Sequence, residues 1–217
     1  MVRTRGVAGA EPEDADSVPQ RLLAVATRLF AEQGFETTSV QQIVDTAGVT
    51  KGAMYHYFGS KDELLYEIYA RVLRVQTARM EVAAAGDEPV RQRLHAVAAD
   101  VVATTAANLD DTVIFFRSMH LLHPDKQAEV RAERRRYHER VRQLIQEGQR
   151  AGVFRADKQA DLVVDYFFGA VHHLGTWFRQ EGELSGEEVG RQFADLLLTS
   201  LRPDESEPPA SDAPSVR

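Results

Sequence analysis

The residues best suited to chemistry fall in one short run, "VTKGAMYHYFGSK", from Val49 to Lys61. It crowds two lysines, a histidine and three aromatic rings into a chain with seven more acidic than basic residues. The hydroxyls of Tyr55 and Tyr57 can donate to phosphate oxygens while their rings pack, and Lys51 can reach the O6 and N7 acceptors of a guanine. His56 can meet a base or a phosphate. Lys61 falls in the first turn of the helix that follows, where free N–H groups and the helix dipole already favour an anion. Gly52 stands out because glycine in a helix costs roughly 1 kcal/mol against alanine. Its presence makes sense if the backbone of that turn must come close to something.

The flanking pattern supplies the elements that would hold these residues. Apolar residues recur at three- and four-residue spacing almost throughout, with no convincing period of two, which predicts an all-α chain. Ser17-Val-Pro-Gln20 opens a first helix with the stripe Leu22, Leu23, Ala26, Leu29 and Phe30, and Gly34 stops it. Thr38-Ser-Val-Gln41 reads as a capping box for a second, short helix that Gly48 ends. Thr50 caps a third, reaching about Phe58, and Ser60-Lys-Asp-Glu63 opens a fourth that runs to about Ala85. Further segments are expected near 90–108, 111–122, 124–151, 158–181 and 186–201, about nine helices in all. Two short helices joined by Ala47-Gly48-Val49 are the ingredients of a helix-turn-helix, with Ile43, Ala47, Val49 and Met54 fixing the angle. In such a unit the start of the second helix, here Thr50, Lys51, Gly52 and Ala53, meets base edges in the major groove. A glycine-turned corner also occurs in all-α proteins that bind no DNA, so spacing alone leaves both readings open.

The stretch from Gly34 to Leu65, "GFETTSVQQIVDTAGVTKGAMYHYFGSKDELL", closely resembles the N-terminal DNA-binding domain of the TetR family of transcriptional regulators. Val44 departs from it, since alanine is usual there. The resemblance implies that Thr50, Lys51, Gly52, Ala53, Tyr55, His56, Tyr57 and Lys61 contact DNA, with Thr38, Ser39 and Gln41 on the flanking backbone. It also implies a homodimer on a palindromic operator, joined through the last two long helices as a four-helix bundle. Phe168, Leu174, Phe193 and Leu197 are the candidates for that dimer face. The stretch "FFGAVHHLGTWFRQEGELSGEEVGRQFADLLLTSL" is similar to a subset of the family that releases DNA on binding acyl-CoA thioesters. A small hydrophobic effector is therefore expected, with Phe115, Phe116, Met119, His120, Phe167, Val171 and Trp177 lining its pocket. Arg131, Arg134, Arg135, Arg136 and Arg140 could serve CoA phosphates, or could form a solvated face paired with Glu129, Glu133 and Glu139. A sensor of aromatic or cationic drugs, or a helical interaction module that binds no DNA, are the alternatives. The second leaves Lys51, Gly52 and Lys61 without an explanation.

Composition excludes much else. There is no cysteine, hence no disulfide framework, thiolate metal site or cysteine nucleophile. His120 and His123 share a helical face, but Pro124 follows and no acidic or sulfur ligand accompanies them, so no metal site is expected. No phosphate-binding glycine loop, His-Glu-x-x-His or Gly-x-Ser-x-Gly occurs, and no enzyme is expected. No apolar run approaches a membrane span, and the chain reads as cytoplasmic. Arg3 and Arg5 face Glu11, Glu13, Asp14 and Asp16, while Arg217 faces Asp204, Glu205, Glu207 and Asp212, so most of the acidity lies in the ends. The expected division is a disordered tail over 1–16, a DNA reader over 17–62, a ligand-binding and dimerisation body over 63–202, and a disordered acidic tail over 203–217.

Overall fold

The structure, a computed structural model, describes residues 17–203, and the two expected tails lie outside these residues but for Pro203. Among the described residues the chain is all helix and connection: α1 (Val18–Gln33), α2 (Val40–Ala47), α3 (Lys51–Tyr57), α4 (Lys61–Ala84), α5 (Val90–Ala107), α6 (Leu109–Ser118), a 3-10 turn (Met119–Leu121), α7 (Pro124–Arg150), α8 (Ala160–His172), α9 (Leu174–Trp177) and α10 (Gly186–Ser200). The nine expected segments are all present. The one expected over 158–181 breaks at His173, and α9 is a single turn that ends at extended Phe178. That break seats Leu174 in the core and brings the Gly175 backbone against Val113 of α6.

The helix ends follow from local chemistry. The capping box of α2 sits one residue later than the sequence reading placed it: Ser39 caps, Gln42 returns the bond, and Thr38 is freed for another use. Gly48 ends α2 in the left-handed conformation, φ 66°, which a side chain would disfavour. Thr50 accepts from the Ala53 amide and Ser60 from that of Glu63, so α3 and α4 begin where hydroxyls satisfy free N–H groups. Ser185 and Glu188 form a complete capping box on α10.

Two apolar cores share the molecule. In the body, α5 and α10 lie so close that a Cβ on Gly190 would stand 2.5 Å from the Ala99 carbonyl oxygen. Tyr137, Val141, Leu144, Phe167 and Phe168 complete this core from α7 and α8. The second core joins α1, α2 and α3 through Leu22, Phe30, Ile43, Val44 and Met54. It does not stop at residue 62: Leu64, Leu65, Ile68 and Tyr69 of α4 belong to it, and so do Ile114 and Phe115 of α6. The reader is thus packed directly against an element of the body.

Candidate nucleic-acid interface and effector cavity

Helix α3 divides cleanly between two environments. Met54 and the following Phe58 are buried, while Lys51, Gly52, Tyr55, His56 and Tyr57 are exposed and Ala53 is half-buried. Tyr55 and Tyr57 leave about half their surface to solvent, 51% and 48%, on the same short helix as Lys51. The face therefore presents one ammonium, two phenols, an imidazole and bare backbone. A Cβ on Gly52 would meet nothing closer than the Thr50 hydroxyl oxygen at 3.8 Å. Nothing inside the protein requires glycine there. Ser39 and Gln41 are exposed at the start of α2, although the Gln41 amide already donates to Asp45 at 2.6 Å.

Two residues expected at the interface are occupied elsewhere. Thr38 is fully buried, and its hydroxyl donates to the carbonyl oxygens of Gly34 at 2.8 Å and Leu29 at 3.3 Å. Lys61 turns its ammonium inward, donating to the Phe35 carbonyl at 2.8 Å and the Thr38 carbonyl at 2.9 Å, above the Phe35 ring. Burial holds its pKa below the usual lysine value, against the opposing pull of Asp62 and Glu36. Lys61 thereby ties the α1–α2 link to the start of α4, and Thr38 ties that link back to α1. Spacing could not reveal the Lys61 contacts, because their acceptors lie 26 and 23 residues away and only the fold brings them near.

Between α4, α5, α6, α7 and α8 lies a narrow cavity of about 30 Å³, room for roughly one water. Of the expected pocket residues it is lined by Phe116 and Val171, and also by Phe168, which had been assigned to the dimer face. Phe115 is fully buried and stacks on Tyr69, Phe167 lies in the body core, Met119 packs on the reader core, His120 is exposed on the 3-10 turn, and Trp177 is half exposed. The polar wall is made by Tyr69 and Gln76 from α4, Tyr137, His138 and Arg134 from α7, and His172 from α8; Arg134 was named from the sequence as one of five arginines that could serve CoA phosphates.

The Arg134 guanidinium donates to His172 Nε2 at 2.9 Å and lies over the Phe116 ring, 5.1 Å from its centre. A guanidinium has no acceptor, so His172 Nε2 carries no proton and the ring is neutral. Burial first, and Arg134 next, push His172 down to about 3 and His138 to about 4. Burial pushes the phenols of Tyr69 and Tyr137 up, so both remain hydrogen-bond donors. Elsewhere on α7, exposed Arg136 and Arg131 reach Glu133 and Gln127, while half-buried Arg140 pairs with Glu81 of α4. Among the described residues no group of His, Asp or Glu is gathered to hold a metal ion.

Three of the expected dimer residues are interior to the single chain: Phe168, Leu174 and Leu197 are nearly or fully buried, and Phe193 stacks on Trp177. The apolar residues left outside are their neighbours, Leu162 (65% exposed) and Tyr166 (72%) on α8 and Leu196 (68%) on α10. Both helices are apolar on more than one side, and only packing decides which side faces inward.

A short helix-turn-helix with a donor-rich recognition helix, welded to a helical body with an internal cavity, defines a DNA-binding regulator. Residues 22–68 match the bacterial regulatory proteins of the tetR family, and residues 87–201 match the tetracyclin repressor-like C-terminal domain. The chain belongs to the TetR family of transcriptional regulators. It is 27% identical to the HTH-type transcriptional repressor KstR2 of Mycolicibacterium smegmatis over 205 residues, 88% of this chain and 93% of that one. The TetR family regulator PfmR of Thermus thermophilus superposes with a TM-score of 0.77 at 32% identity, covering 84% of this chain and 99% of that one. The ketosteroid transcriptional regulator KstR2 of Mycobacterium tuberculosis superposes at 0.78 with 25% identity, over 87% and 96%. No helix among the described residues is long and apolar enough to cross a membrane.

Proposed function

We propose that the protein is a cytoplasmic repressor that binds a palindromic operator as a homodimer and leaves it when a small hydrophobic effector enters the body. The placement of α6 carries this reading. Thr112 and Phe116 line the cavity on one side of that helix. On another side buried Asp111 accepts from Thr27 of α1 at 3.1 Å and pairs with Arg71 of α4 at 2.8 Å. Phe115 stacks on Tyr69, which belongs to both the reader core and the cavity wall. An effector that widens the cavity therefore displaces the helix on which α1 and α4 rest. Effector and operator favour different conformations, so each weakens the binding of the other by the same factor.

Two further observations support the finer points. The exposed stripe of Leu162, Tyr166 and Leu196 suits a two-fold partner, and two-fold dimers present recognition helices about 34–36 Å apart on one face of DNA. An open groove of about 930 Å³ carries Arg71, Arg79 and Arg191 and shares Val72 with the cavity. That arrangement suits an acyl-CoA, with phosphates in the groove and the acyl chain inside. Arg134 in the cavity, with no Asp or Glu in its lining, works against a cationic drug.

Gel shift with the DNA upstream of the gene tests the reading. Lys51→Ala and Tyr55→Phe should weaken the complex and leave the dimer intact, and unchanged binding by both would refute the placement of the reader. Long-chain acyl-CoA should release the DNA and raise the melting temperature; if it does neither, acyl-CoA is not the effector. Asp111→Asn should keep operator binding but blunt the response to effector.

A further inference from the structure

The polar wall of the cavity, with Arg134 at its centre, is what an apolar acyl chain does not explain. Whereas Arg131, Arg135 and Arg136 of the same helix are exposed, half-buried Arg134 contributes the one permanent charge to the cavity lining among the described residues. Among the described residues it has no carboxylate partner; its contacts are a neutral imidazole and the face of Phe116. A guanidinium removed from water is costly unless an anion or several acceptors complete it, and one ring nitrogen uses only one of its five N–H groups. The phenols of Tyr69 and Tyr137 stand in the same wall as further donors. Val72, Leu73, Val101 and Val171 make the rest of the lining largely apolar.

We infer that the effector is amphipathic, with an anionic head, a carboxylate in the simplest case, seated against Arg134, His138 and His172 and an apolar body lying toward α4 and α5. This rests on the cavity being the effector site. Planar, paired N–H groups match a carboxylate, and charge-assisted bonds of this kind are about twice as strong as neutral ones. Neutral His172 can release its hold on Arg134 when the head arrives, so the free protein keeps the guanidinium placed until then.

The test compares decanoate, 1-decanol and decanoyl-CoA as probes, in calorimetry with the full-length protein and in operator release. Decanoate should bind at least about tenfold more tightly than 1-decanol, and Arg134→Met should erase that preference. Arg134→Lys should keep part of it, since charge survives and the fork does not. Operator affinity without probe, measured for each variant, verifies the fold. Equal binding of acid and alcohol, or a preference that survives Arg134→Met, overturns the anionic head while the cavity reading stands. Binding by decanoyl-CoA alone, insensitive to Arg134→Met, also overturns the head but keeps the acyl-CoA proposal. Failure of all three probes to bind overturns both.

Discussion

At Gly52 the fold and the proposed function pull in opposite directions. An alanine there meets only open space and the Thr50 hydroxyl, so Gly52→Ala should raise stability by about 0.5–1 kcal/mol through helix propensity. The same methyl group would stand between α3 and DNA, so operator affinity should fall; urea unfolding and gel shift on one preparation separate the two effects. Lys61 offers the converse. Its ammonium is committed to two carbonyls, so Lys61→Met should lower the melting temperature. The slope of log affinity against log salt should stay put, whereas losing a true phosphate contact would reduce it by about 1. The sequence showed which residues on α3 carry donors, because type and spacing are local. It could not show that Lys61 turns inward, because its acceptors lie 26 and 23 residues away in the chain.

At the scale of elements, α7 and α8 hold two histidines in a setting that suits only their neutral form. His138 and His172 titrate near 4 and 3 in the folded chain against 6.5 as the ordinary value, burial being the first cause and Arg134 the second. Below about pH 6.5 the unfolded chain takes up protons that the folded chain refuses. This contribution to stability is full above pH 6.5 and is lost as pH falls through about 4 for His138 and about 3 for His172. Melting temperature followed over that range should drop, and His172→Gln should flatten the fall. Helical periodicity predicted α7 and α8 well, yet gave no sign that Arg134 and His172, 38 residues apart, would meet. The break after α8 was equally hidden: "HHLGTW" continues a helical pattern, and only the fit of Leu174 and Gly175 against the body ends it.

For the whole molecule, the proposed dimer turns on which apolar side of α8 and α10 the single chain leaves uncovered. Tyr166→Glu with Leu196→Glu should leave a folded monomer, read by light scattering, that binds the operator far more weakly; a dimer that survives both changes would place the interface elsewhere. Phe168→Ala, by contrast, should cost about 3–5 kcal/mol by opening a hole in the single chain. The sequence by itself determined the all-α class, the helix-turn-helix with its glycine turn, and the donor-rich composition of α3. Each of these depends on interactions within a few residues, and such patterns survive in one dimension. Tertiary structure alone decided that Asp111 ties the reader to the body, that Arg134 faces a cavity, and which apolar side of α8 and α10 remains outside. Those outcomes depend on how helices distant in the chain share their surfaces, and an apolar stripe does not say which neighbour will cover it.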